Sequence, residues 1–181
     1  MATISPRMSH DPLGLAARSW TPMDVARARA LAERVHRGQR DAGGARLIEH
    51  VRRVAATVAP EARVVAWLHE ALEHTSISEE TLLLQGLSTD ELRAIRLVTH
   101  PNIAQSNPSY LAHIEMLAGA SGAGARLARS VKCADLADRV RNPAIRPDGW
   151  SPPYDRGLAI LQRAASRRRR HLSVVREGGS P

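Results

Sequence analysis

The sequence predicts an all-α fold, a single helical bundle of about seven to eight helices, and three observations carry that expectation. Apolar residues make up 43% of the 181-residue chain, yet aromatics are only 3% and phenylalanine is absent. A core of Ala, Leu, Val and Ile suits packed helices better than a β-sandwich. Apolar residues also recur at three- and four-residue steps, as at Leu47, Val51, Val54 and Val58, the spacing of one helix face. Strand-like alternation and internal repeats are not found. The length gives room for one domain with a real core, placed at 21–170 between tails at 1–20 and 171–181.

The elements follow in order. Thr21 and Pro22 read as N-cap and first-turn residues of a helix running to about Arg37. GQRDAGG is a polar loop, and the Leu47–Val58 stripe marks the second helix. Pro60 punctuates the chain before a third, Glu61 to Thr75. Ser76 with Glu79, and Ser88 with Glu91, have capping-box spacing and start two more helices. PNIAQSNPS is a loop before a short helix through Tyr110, Ile114 and Leu117. SGAG precedes a long helix from about Ala125 to Val140. RNPAIRPDGWSPP is irregular, and Tyr154 to about Arg170 closes the domain.

Charge and composition exclude several classes. The formal net charge is +8, but Lys132 is the single lysine, so 25 of the 26 basic residues are Arg. This is read mainly as the nucleotide bias of a GC-rich genome. The run Arg167 to Arg170 is read as a solvated helix end. No aromatic side chains interleave with it to stack on bases, so nucleic acid is not the expected partner. No run approaches the apolar length of a membrane span, and no membrane partner is expected. One cysteine, Cys133, fits a reducing, cytoplasmic setting. Residues 1–20 lack the continuous apolar stretch of a secretory signal.

The chemistry gathers around AWLHEALEHT, Ala66 to Thr75. On a helical wheel, with His69 at zero, Glu73 falls near 40°, Glu70 near 100° and His74 near 140°. All four share one arc, and a solvated helix face would look the same. Two other helices change the balance. His50 stands inside the Leu47–Val54 stripe, and Asp135 follows Val131 by four residues and Leu127 by eight, so each is aimed at the core. A buried carboxylate costs several kcal/mol unless paired or metal-bound. Imidazole and carboxylate donors together suit a divalent ion such as manganese, iron or zinc. The zincin pattern HExxH is not met, because His69 and His74 are five residues apart instead of four.

With these residues in place, the chain resembles the HD superfamily of metal-dependent phosphohydrolases, nearest to its RelA/SpoT-like branch of small alarmone hydrolases. The resemblance runs from about Ala30 to Arg139. ALAERVHRGQRDAGG is similar to the family's opening A-x-x-x-H-x-G-Q-x-R-x-x-G, LIEHVRRVA to Y-I-x-H-P-x-x-V-A, and VVAWLHEALEHT to A-x-L-H-D-x-x-E-D-T. RLVTH, Tyr110 and SVKCADLAD resemble its later T, Y and V-K-L-A-D-L-x-D elements. The resemblance implies His50, His69 and Asp135 as metal ligands, with Glu70 at the fourth ligand position and manganese as the leading ion. It implies Glu73 as the acidic group that orients or activates the attacking water. Lys132 matches a lysine beside the ligand aspartate. The implied substrate is a nucleotide pyrophosphate such as ppGpp, cleaved by a hydrolase-only form with no synthetase.

Four positions depart from the family pattern. His-Glu stands for His-Asp at residues 69–70, and Glu73-His74 for Glu-Asp, where His74 is placed as a base near neutral pH. Arg139 replaces an asparagine four residues after the ligand aspartate. Arg40 stands one residue early of the opening motif's arginine, which Asp41 replaces. Arg40 and Arg139 are placed as phosphate-neutralising groups. The departures keep open an alternative, a catalytically degenerate HD domain serving as a nucleotide-binding or protein-interaction module.

Overall fold

A computed structural model describes residues 21–41, 43–100, 107–143 and 153–177, with side chains to 170. Among these residues the fold is all-α. Its helices are α1 (Val25–Val35), α2 (Leu47–Thr57), α3 (Arg63–Leu68), α4 (Ala71–His74), α5 (Glu79–Leu84), α6 (Thr89–Val98), α7 (Asn107–Gly119), α8 (Ala123–Arg141) and α9 (Tyr154–Glu177). A 3-10 turn, Pro60–Ala62, leads into α3. His69 and Glu70 keep right-handed helical angles between α3 and α4. Counted as one bent helix, this pair gives eight, within the expected number. The only strand-like pairing among the described residues is an isolated bridge between Arg40 and Arg46.

Helix α3 is the axis of the bundle. It touches α1, α2, α6 and α8, and every residue from Val64 to Ala71 is buried. A helix covered on all sides has no wet edge, which is why the polar arc drawn on the wheel is not a solvated face at His69 and Glu70. Helix α8 packs on α6, α9 and α2. A Cβ on Gly124 would stand 2.6 Å from the Asp90 carbonyl oxygen and 3.2 Å from Arg93 Cβ, so a glycine is needed where α8 starts against α6.

Two expected helix starts are displaced, each for a local reason. The first helix is capped by Asp24, whose Oδ1 accepts from Arg27 N at 2.8 Å, not by Thr21. Met23 N donates instead to Gly86 O at 2.8 Å, holding 21–23 outside the helix. The cap of α5 is Ser78, accepting from Thr81 N at 3.1 Å, not Ser76. Glu79, the residue that suggested Ser76, is paired with Arg96 of α6. The Ser88–Glu91 capping box forms as expected. Helix α5 ends in a Schellman turn, with Leu87 N on Leu82 O and Gly86 N on Leu83 O. Gly86 has φ +98° there, a left-handed angle natural to glycine.

The loops expected at PNIAQSNPS and RNPAIRPDGWSPP fall largely at 101–106 and 144–152, outside the described residues, as do 1–20 and 178–181. The helical backbone of α9 continues to Glu177, past the expected end near Arg170. Arg168 is exposed, yet its guanidinium donates to Ala118 O at 2.7 Å and Ala120 O at 3.2 Å. It therefore closes the C-terminal end of α7, where lone carbonyls attract a cation. No helix of the described residues is long and apolar enough to cross a membrane.

Candidate metal centre

Three helices deliver the site. His50 comes from the buried face of α2, His69 and Glu70 from the bend between α3 and α4, and Asp135 from the middle of α8. All four are buried, Asp135 completely. One donor atom from each lies within 4.8 Å of every other. His50 Nε2 stands 3.3 Å from His69 Nε2, 3.6 Å from Glu70 Oε1 and 3.2 Å from Asp135 Oδ1. His69 Nε2 stands 3.1 Å from Glu70 Oε1. A tetrahedral ion bound at about 2.0 Å sets neighbouring ligand atoms roughly 3.3 Å apart. The donor set and its spacing therefore fit a divalent metal.

The outer contacts orient both imidazoles. His69 Nδ1 donates to Ala66 O at 2.7 Å, one turn back along α3, which leaves Nε2 facing the cluster. His50 Nδ1 lies 2.7 Å from Asp138 Oδ2. Asp138 is itself held by Arg53 Nε at 2.7 Å, Arg53 Nη2 at 2.9 Å and Asn142 Nδ2 at 3.1 Å. Carboxylate–histidine pairs of this kind fix the tautomer and strengthen the ring as a ligand. Burial alone would lower the pKa of His50, but hydrogen bonds to Asp135, Asp138 and Glu70 raise it to about 10. Nε2 faces the Glu70 and Asp135 oxygens, the position at which they favour a cation.

Two fixed cations face the carboxylates of the cluster. Lys132 Nζ is 2.8 Å from Asp135 Oδ2. Arg139 spans the cluster, with Nε 2.6 Å from Asp135 Oδ1 and Nη2 2.5 Å from Glu70 Oε1. Its guanidinium also lies 5.6 Å from the centre of the Tyr154 ring, within cation–π range. Burial pushes the pKa of Asp135 up, but Arg139, Lys132 and His50 outweigh it and hold the carboxyl well below its ordinary value. Glu70 is held down by Arg139 and by His50, His69 and His74 against the same burial. Both carboxyls are thus ionised. Asp135 Oδ2 and Glu70 Oε2 are buried without a well-directed hydrogen bond, despite the close nitrogens of Lys132 and His74.

The other expected residues are distributed differently. His74 Nε2 lies 2.8 Å from Glu70 Oε2, and the ring is 43% exposed. This pairing raises its pKa against partial burial, which suits it to hold a proton more than to take one. Glu73 is exposed on α4, and its Oε2 accepts from His100 N at 3.3 Å. Arg40 is not brought to the cluster. Its Nη1 donates to Gly44 O at 2.6 Å, within its own loop. Gln39, from the same opening segment, bonds His36 Nδ1 at 2.7 Å and donates to His74 O at 2.6 Å, tying that loop to α4.

Asp138 and Arg53 were not singled out from the sequence. The available signal was spacing, since Asp138 follows Asp135 by three and Arg53 follows His50 by three, one turn away on the same helix faces.

No protein-family model matches the chain, and no curated protein matches it.

Proposed function

We propose that this chain is a metal-dependent phosphohydrolase acting on a nucleotide pyrophosphate, of the kind that removes the 3′-pyrophosphate of ppGpp. The observation that carries the reading is the buried group His50, His69, Glu70 and Asp135, with Nε2 of both rings turned toward two ionised carboxylates. Manganese is the leading ion, followed by iron and zinc, since the donors are nitrogen and oxygen with no sulfur. Bound there, it would lower the pKa of a water and polarise the phosphoryl oxygen. The chain's own residues do the rest. Asp138 and Ala66 O keep the two imidazoles pointed inward. Glu73, exposed one turn beyond His69, is the carboxylate to take the proton from the attacking water. His74, whose pairing with Glu70 favours the protonated ring, is placed to return a proton to the departing oxygen. Arg139 and Lys132 supply positive charge for the phosphates.

A second reading, a domain that keeps the fold and has lost turnover, is favoured by one contact. Arg139 engages Asp135 Oδ1 and Glu70 Oε1 together, two oxygens that a metal needs. Release of pyrophosphate from ppGpp with Mn²⁺ present separates the two. The enzyme reading expects metal-dependent release by the wild type, lost on Glu73→Gln. If the wild type is inert and Glu70→Asp with His74→Asp creates activity, the relic reading holds.

A further inference from the structure

The arrangement around Arg139 goes beyond an arginine waiting for phosphate. Its two donor nitrogens point at two different carboxylates on two different helices, Asp135 of α8 and Glu70 of the α3–α4 bend. Those two oxygens are the corners of the cluster nearest His50 and His69. Asp135 Oδ1 is the atom 3.2 Å from His50 Nε2, and Glu70 Oε1 is the atom 3.1 Å from His69 Nε2. Arg139 therefore bonds the same lone-pair region through which a metal ion would be held.

Charge gives the same result independently. Glu70, Asp135 and Asp138 are three carboxylates, and Arg53, Lys132 and Arg139 are three permanent cations paired with them. Leaving the imidazoles aside, these six groups balance one another. Adding a divalent ion leaves two surplus positive charges in a buried site, which is costly unless a cation leaves or an anion arrives. Lys132 is buried with its ammonium on Asp135, and Arg53 serves Asp138 on the far side of His50. Arg139 differs from both. Its side chain is 26% exposed, and its guanidinium lies over the Tyr154 ring.

We propose that Arg139 is a built-in counter-cation that competes with the divalent metal for Asp135 Oδ1 and Glu70 Oε1. It keeps the metal-free protein folded, and it turns outward beside Tyr154 as the metal enters. The proposal rests on the reading of the cluster as a metal site. Outward, the guanidinium meets the side from which an anionic substrate arrives, so metal loading and the phosphate-binding charge are coupled. A filled site with Arg139 displaced carries an excess of positive charge that a polyphosphate neutralises.

Mn²⁺ titration into metal-free protein, followed by equilibrium dialysis and by thermal unfolding, tests this without reference to turnover. Wild type is compared with Arg139→Gln and Arg139→Lys. Each charge-assisted bond to a buried carboxylate is worth about a tenfold change in an equilibrium. Arg139→Gln is thus expected to bind Mn²⁺ at least about tenfold more tightly than wild type. Its Tm should drop in a chelator and recover with Mn²⁺, while the wild-type Tm hardly responds to the chelator. Arg139→Lys keeps the charge but loses the two-pronged grip, so it should fall between them, and it decides the matter if the Gln variant does not fold. Equal Mn²⁺ affinity in wild type and variants overturns the competition and leaves the metal-site reading standing. No Mn²⁺ binding in any of the three overturns both.

Discussion

Two histidine pairs sit inside this bundle in nearly the same geometry. The rings of His50 and His69 are edge-to-face with centroids 5.4 Å apart, and those of His100 and His113 are edge-to-face at 5.3 Å. Their surroundings are opposite. Around the first pair three of the four ring nitrogens face carboxylates: Glu70, Asp135 and Asp138 all lie within 3.6 Å of one. Around the second, Nε2 of both rings and the Tyr110 hydroxyl are buried without a partner, and the nearby charge is the cation of Lys132. Burial and that cation push the pKa of His113 down to about 4, while carboxylates take His50 up to about 10. Burial and pairing alone therefore do not distinguish a ligand histidine. The carboxylates supplied by a third helix do, and Lys132 marks the border, with its ammonium committed to Asp135.

The comparison breaks most visibly at Asp135. Asp135→Ala leaves Lys132 and Arg139 facing each other without their shared carboxylate, and stranding buried charge costs about 3–5 kcal/mol. Denaturant unfolding should register that loss, and Mn²⁺ binding should disappear with it. A smaller effect is expected at Asp138, which touches no predicted ligand oxygen and acts through His50. Asp138→Asn should keep the fold and weaken Mn²⁺ affinity by about 10- to 100-fold, measured by titration. Unchanged affinity would mean that Asp138 belongs to the packing alone.

The smallest expected effect belongs to the second pair. His113 has a depressed pKa, so its neutral form is favoured in the folded state. Above the ordinary value of about 6.5 neither state takes up a proton there, and the contribution is intact. As pH falls from 6.5 toward 4 the unfolded chain binds the proton first, and stability is lost across that window. Lys132 and His100 are the groups that face this ring. His113→Leu should therefore lose less stability than wild type between pH 6.5 and 4, with Mn²⁺ affinity unchanged. A fall in metal affinity would show that the two pairs are not separate.

Much of this was legible from spacing. The stripe around His50 and the four-residue steps to Asp135 placed both side chains inward, and they meet. The Ser88–Glu91 box was local chemistry and survives intact. What the chain order hid was tertiary. The wheel put His69 and Glu70 on a polar arc with Glu73 and His74, but α3 is enclosed by four helices and only the last two residues reach the surface. The caps at Thr21 and Ser76 lost to Asp24 and Ser78 because Gly86 and Arg96, distant in sequence, took the competing groups. Arg40 folds onto Gly44 instead of reaching the cluster, and Arg139, placed as a phosphate-neutralising group, spends its donors on Glu70 and Asp135. In each case the residue type was informative and the partner was not.

His50, His69, Glu70 and Asp135 form a group that could hold one divalent ion. Equilibrium dialysis of chelator-treated wild-type protein against excess Mn²⁺, with the bound metal counted by elemental analysis, tests it most directly. About one equivalent per chain in the wild type, lost in Asp135→Ala and retained in His113→Leu, is the expected result. Wild-type protein that takes up no metal, or metal that persists without Asp135, would contradict it.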